Sequence, residues 1–118
     1  MPRPDLLLTL VGYGAIGRSI HQRLQGVPGL RLGHVVVRES RLAEVQVQLG
    51  ASAIACSTVP ADTQLLLECA GHSALTAHVL PALARGVECA VLSVGALSEP
   101  GLPEQLADAA QRGGAQVH

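Results

Sequence analysis

After a short polar lead, Met1 to Asp5, the chain runs through the nearly continuous apolar stretch Leu6 to Val11 and stops at Gly12-Tyr13-Gly14. A run of that length and character predicts a parallel strand covered on both faces. From Ala15 to Gln25 the apolar positions Ile16, Ile20 and Leu24 recur every four residues among Arg18, Gln22, Arg23 and Gln25, which predicts a helix with one core-facing stripe. Gly26, Pro28 and Gly29 close that helix. Leu30 to Val37 ends in the β-branched run Val35-Val36-Val37 and predicts a second strand, followed by a mildly amphipathic helix over Glu39 to Leu49 with Gly50 behind it.

The second half repeats the scheme. Ala53 to Ser57 is a short third strand, and Leu65 to Ala70 echoes the first strand and again runs into a glycine, Gly71. Ser73 to Arg85 predicts a helix that Pro81 must bend or shorten. Val87 to Val94 is the next strand, broken by Gly95. Leu102 to Arg112, with Leu102, Leu106 and Ala109 or Ala110 on one face, is a further helix, and Gly113-Gly114 leads into Ala115 to His118, the start of another strand. This alternation predicts an α/β, Rossmann-type doubly wound, mostly parallel sheet with helices on both faces and right-handed crossovers.

Composition narrows the chemistry. At 118 residues the chain is expected to form one domain, residues 1–118, around a core that must be aliphatic, because there is no Phe or Trp and Tyr13 is the single aromatic. A net charge of -1 and 14% charged residues argue against electrostatic nucleic-acid binding. All eight basic residues are Arg, which excludes lysine Schiff bases and phosphate-loop lysines. Cys56, Cys69 and Cys89 match no zinc spacing, and their odd number argues against a secreted disulfide framework. No apolar stretch reaches the roughly 18 residues of a membrane span, so a soluble, cytoplasmic protein is expected.

The sharpest signal is Gly12-Tyr13-Gly14-Ala15-Ile16-Gly17, a G-x-G-x-x-G directly between a strand and a helix. Gly12 lets the chain turn tightly, Gly14 lets the backbone approach a pyrophosphate, and Gly17 lets the helix lie close to the sheet. The free N–H groups and positive end of the helix dipole then face the phosphates. Three glycines could also make such a turn with no ligand. An acidic residue about 20 positions beyond the glycines marks NAD selectivity. Here the second strand ends in Arg38, with Ser40 and Arg41 nearby, a set suited to the 2'-phosphate of NADP; Glu39 keeps NAD open, and the alternative is that Arg38 and Arg41 are solvated residues at a helix start, an even choice for Arg41.

Two more strand ends, around Ala70-Gly71-His72 and Ser93-Val94-Gly95, lie where open α/β sheets bind ligands, and their small residues leave room for a nicotinamide ring. Cys69 is expected to pack and not to attack, since no base adjoins it. His72 is read as a positional residue ahead of an acid or base. His21, His34 and His78 are expected on helix and strand surfaces. Glu68 is either paired at the pocket or on a strand edge.

Val11-Gly12-Tyr13-Gly14-Ala15-Ile16-Gly17, Glu68-Cys69-Ala70-Gly71-His72 and Leu92-Ser93-Val94-Gly95-Ala96-Leu97 together resemble the N-terminal dinucleotide domain of L-aspartate dehydrogenases, over nearly the whole chain. The resemblance implies an oxidoreductase acting on the CH-NH2 group of an amino acid, taking L-aspartate to oxaloacetate through iminoaspartate with NAD or NADP. It implies that Gly12, Gly14, Ala15, Ile16 and Gly17 hold the pyrophosphate and that Arg38 lies by the adenosine ribose. Ala70, Gly71, His72, Ser93, Val94 and Gly95 then border the nicotinamide. In that family a second domain carries the substrate pocket, the catalytic histidine and the oligomer contacts. On this reading the catalytic domain is absent from residues 1–118, no catalytic residue and no metal ligand is expected among them, and the chain alone should not turn over aspartate. Self-association through the apolar surface left for a partner domain is expected. A homoserine dehydrogenase or dihydrodipicolinate reductase relative, or a stand-alone NAD(P)H-sensing module, are the competing readings.

Overall fold

The computed structural model describes residues 5–93, 95 and 98–118. Five strands, β1 (Leu6–Val11), β2 (Leu30–Val36), β3 (Ile54–Cys56), β4 (Leu65–Glu68) and β5 (Glu88–Val91), form one sheet in the order β3-β2-β1-β4-β5, and every pairing is parallel. Val117 makes a parallel bridge to Cys89 on the outer side of β5, so the chain's last residues begin the next strand. This is the doubly wound order, in which the chain leaves β1 first toward β3 and later toward β5.

Alternation along the strands divides the aliphatic core in two. Leu8, Leu10, Val35 and Val37 pack on one face with Val45 and Leu49 of α2 (Leu42–Leu49) and with Ile20 and Leu24 of α1 (Ala15–Leu24). Val11, Val36 and Leu66 point the other way, onto Leu75, Val79 and Leu83 and onto Leu102, Leu106 and Ala109. The strands are apolar at successive positions because both faces are covered. Thr9, fully buried, spends its hydroxyl on Thr63 at 2.7 Å.

Three helix expectations change. In α1 the stripe against the sheet is Gly17, Ile20, His21 and Leu24, and Ile16 is 59% exposed. The rotation follows from contact at Gly17, where a Cβ would stand 2.7 Å from the Gly12 carbonyl oxygen. The segment after β2 is a 3-10 turn (Glu39–Arg41) leading into α2. The helix after β4 is not regular: α3 (His72–Ala74) passes through a π turn (Leu75–Val79) into α4 (Leu80–Ala84). Pro81 has no N–H to donate and its ring would crowd the carbonyl four residues back, and widening the preceding turn relieves that conflict. The last helix, α5 (Leu102–Gly113), buries Leu102, Leu106, Ala109 and Ala110 as its pattern predicts. β5 stops at Val91, short of the expected Val94, which lies outside the described residues.

Candidate nucleotide-binding site

At the carboxyl ends of β1, β2 and β4, where the winding direction reverses, the sheet opens into a cleft of about 570 Å³. Its floor is the glycine loop. Gly12 has φ +97° and lies so close to Ala70 that a Cβ would meet the Ala70 Cβ at 2.8 Å. Both facts require glycine there. At Gly14 the backbone is ordinary, φ -85°, and a Cβ would meet no atom within 4 Å. Sterics within the chain therefore do not explain the second glycine, whereas a group approaching from the cleft does.

Gly14 starts α1 without a side-chain cap, and the first turn carries no acidic residue. The first intrahelical bond is Arg18 N–H to the Gly14 carbonyl at 2.9 Å, which leaves the N–H groups of Ala15, Ile16 and Gly17 without intrahelical acceptors. Bare amides and an uncompensated dipole end suit a phosphate.

The β2 wall supplies the charge. Arg38 is exposed and lines the cleft, and Arg41 lines it while its Nε donates to Glu44 Oε1 at 2.6 Å. Among the described residues, those lining the cleft include these two guanidiniums and no carboxylate; Glu39 is exposed on the 3-10 turn and is not among them.

The β4 wall is built on Glu68, which is fully buried. Its Oε2 accepts from the N–H groups of Ala70 (2.8 Å) and Gly71 (2.7 Å) and from the Ser93 hydroxyl (2.7 Å), and its Oε1 accepts from the Ser93 N–H at 3.2 Å. One carboxylate thus ties the turn after β4 to the segment after β5, and the strand-edge alternative for Glu68 is excluded because β4 lies between β1 and β5. Cys69 Sγ donates to the Val11 carbonyl at 3.1 Å beneath the loop, and burial, reinforced by the neighbouring Glu68, pushes its thiol up to about 11, which fits packing and not nucleophilic attack.

The expected site residues divide accordingly. Gly12, Gly14, Arg38 and Ala70 line the cleft; Gly17 is buried under the loop; Ala15 and Ile16 are exposed on the first helical turn. Gly71 and the exposed His72 follow Ala70, and Gly95 is exposed, all outside the cleft lining. Ser93 is joined to the site through Glu68, and Val94 lies outside the described residues. Two histidine expectations are overturned: His21 is buried, and His78 lines the cleft, with burial lowering its pKa from 6.5. Ser73, Ala74 and Ala77 line it too. Counting on in threes and fours from Ala70 reaches Ser73, Ala74, Ala77 and His78 alike, so one helix face supplies this wall.

A parallel sheet with this strand order, a tight glycine turn and an uncapped helix start facing a cleft at the reversal point together define a dinucleotide-binding Rossmann domain. Residues 12–118 match the family model described as homoserine dehydrogenase, NAD binding domain, and the chain belongs to that family. The coenzyme such a domain takes is NAD or NADP. The chain is 45% identical to the L-aspartate dehydrogenases of Cupriavidus taiwanensis over 116 residues and of Pseudomonas aeruginosa over 119 residues, covering 95% of this chain and 44% of each relative. It therefore spans less than half the length of these curated relatives. Among solved structures, aspartate dehydrogenase from Thermotoga maritima superposes with a TM-score of 0.68 at 17% identity, over 97% of this chain and 45% of that one. The WlbA dehydrogenase from Bordetella pertussis, in complex with NADH and UDP-GlcNAcA, gives 0.75 at 13% identity, over 100% and 36%. At those identities the likeness is one of fold.

Proposed function

We propose that residues 1–118 form the coenzyme-holding part of an L-aspartate dehydrogenase, an oxidoreductase acting on the CH-NH2 group of an amino acid, and that the coenzyme is NADP in preference to NAD. The observation that carries the proposal is the Gly14 position, a glycine that the chain's own packing does not require and that faces the cleft. Gly12 and Gly14 with the free amides of Ala15, Ile16 and Gly17 hold the pyrophosphate. Arg38 takes the 2'-phosphate with a planar guanidinium fork, and the absence of a carboxylate from the described cleft lining favours the more anionic coenzyme.

Ala70, Gly71 and His72, with Ser93 and Gly95, border the nicotinamide, and Glu68 fixes the spacing between these two loops. The bound dinucleotide supplies a hydride acceptor. Holding the amino-acid carbon against it and managing the proton on nitrogen require groups from outside residues 1–118, so this chain binds coenzyme without turning over aspartate. The protein works in the cytoplasm, and apolar side chains exposed on the edge strand (Ile54) and beyond β5 (Leu92) supply surface for self-association.

Fluorescence titration with NADPH and NADH tests the proposal. Arg38→Asp should weaken NADPH binding by about 10- to 100-fold, the worth of charge-assisted hydrogen bonds, and leave NADH binding nearly unchanged. Gly14→Val should lose both coenzymes while keeping the fold. Equal loss of both coenzymes in Arg38→Asp refutes the NADP preference, and full binding by Gly14→Val refutes the site.

A further inference from the structure

A polar chain runs from the phosphate loop back across α1, beginning at the cleft-lining Tyr13, buried at Tyr13 and His21 and exposed at Ser52. Tyr13, the residue between the first two loop glycines, is 5% exposed, and its hydroxyl lies 2.8 Å from Nδ1 of His21, which is 8% exposed. The His21 Nε2 lies 3.0 Å from Ser52 Oγ, and that hydroxyl donates to the Leu49 carbonyl at 2.6 Å, where α2 ends. With the imidazole neutral, donor counting gives the directions. Ser52 has one hydroxyl hydrogen and spends it on Leu49, so its oxygen accepts from His21 Nε2–H. The imidazole then carries its proton on Nε2 and presents a bare Nδ1, which accepts from the Tyr13 O–H. Gln25, whose side-chain amide stands 3.4 Å from the same Nε2 and must turn its oxygen toward it when Nε2 carries the proton, and Arg31 are the polar neighbours in the small hollow beside this chain.

The tether spans three parts of the fold: the loop, α1 and the turn between α2 and β3. A glycine-rich loop is costly to order, and a binding loop ordered in advance spares the ligand that cost. Gly12 and Gly14 carry no side chain with which to hold themselves. Tyr13 is the anchor that lies between them, and His21 sits on the side of α1 facing the sheet, four residues past the close approach at Gly17.

We propose that Tyr13 and His21 are positioning residues for coenzyme binding, holding the Gly12 to Gly17 loop in its binding geometry before the nucleotide arrives. The inference rests on the reading of that loop as the pyrophosphate site. Its test uses the full chain, NADPH and NADH, and two substitutions that split the imidazole. In His21→Asn the side-chain oxygen can take the place of Nδ1 and still accept from Tyr13. In His21→Gln the terminal amide takes the place of Nε2 and keeps only the Ser52 side.

Tyr13→Phe and His21→Gln should each raise Kd for both coenzymes by about 3- to 10-fold, the worth of one net hydrogen bond. His21→Asn should stay within about twofold of the starting chain, because the Tyr13 bond survives. Tyr13 is the single tyrosine, so ultraviolet resonance Raman spectra read its hydroxyl bond without interference: donor character should persist in His21→Asn and vanish in His21→Gln. A purely structural role would lower the unfolding midpoints of the Asn and Gln variants alike and leave Kd of the folded protein unmoved. Unchanged affinity in Tyr13→Phe and His21→Gln, or equal weakening in the Asn and Gln variants, would overturn the inference. Failure of the unsubstituted chain to bind either coenzyme would instead refute the loop's assignment, and the inference with it.

Discussion

Replacing Glu68 offers the most direct measurement of how the β4 wall is held. The carboxylate is fully buried and accepts four hydrogen bonds, three of them at one oxygen within 2.8 Å. Glu68→Leu removes all four acceptors. Bonds to a charged group contribute about 1.5 to 3 kcal/mol each, but Ala70, Gly71 and Ser93 are at least partly accessible and recover water, and the variant no longer has to desolvate a carboxylate. The balance is a loss of about 2 to 4 kcal/mol.

Glu68→Gln keeps three bonds if its oxygen turns toward Ala70, Gly71 and the Ser93 hydroxyl, and then opposes its amide to the Ser93 N–H. That single conflict, with the lost charge, costs about 1 to 2 kcal/mol. Urea unfolding monitored by circular dichroism gives both numbers from the shift in midpoint at constant slope. The expected ranking is native above Gln above Leu. A Leu variant as stable as the native chain would show that desolvation of the carboxylate cancels its bonds, and the account of Glu68 as a clamp would be wrong.

Other outcomes follow from the same contacts. Gly17→Ala places a methyl 2.7 Å from the Gly12 carbonyl oxygen and 3.3 Å from Cys69 Sγ, and should cost about 1 to 3 kcal/mol in urea unfolding, whereas Gly14→Ala, with open space around it, should fall within about 0.5 kcal/mol. Burial pushes the Cys69 thiol up to about 11 and the Cys89 thiol up to about 12, so both stay protonated in the folded chain at pH values where the unfolded chain ionises them from 9.0. Their contribution to stability is therefore full below pH 9.0 and is lost as pH rises through the folded values, and iodoacetamide should label both slowly at neutral pH until urea is added. His78 has the opposite sense: burial lowers its pKa from 6.5, so its contribution is present above that value and is lost as pH falls, and unfolding midpoints measured on either side of pH 6.5 should converge in His78→Asn.

What could be read locally was read well where the signal is local. Leu6 to Val11 forms β1, Leu102 to Ala110 buries the face its spacing marks, and the glycine motif occupies the strand-to-helix turn that its chemistry demands. The readings that failed needed a second element. The apolar spacing of α1 favoured Ile16, but helix rotation is set by the contact at Gly17, and that contact depends on where β1 delivers Gly12. His78, expected on a helix surface, lines the cleft one turn beyond Ala74, and what makes that face a cleft wall is the position of the β1 and β2 ends.

The amino-acid order by itself determined the α/β alternation, the aliphatic core and the strand-turn-helix built on Gly12, Gly14 and Gly17, because each of these follows from backbone preferences and side-chain period over a dozen or fewer positions. Only the folded chain decided which polar groups meet. Glu68 reaches Ser93 across 25 positions, and His21 reaches Ser52 across 31. Such pairs depend on strand order and helix rotation, which are set by close contacts between elements and leave no periodic trace in the residues that end up touching.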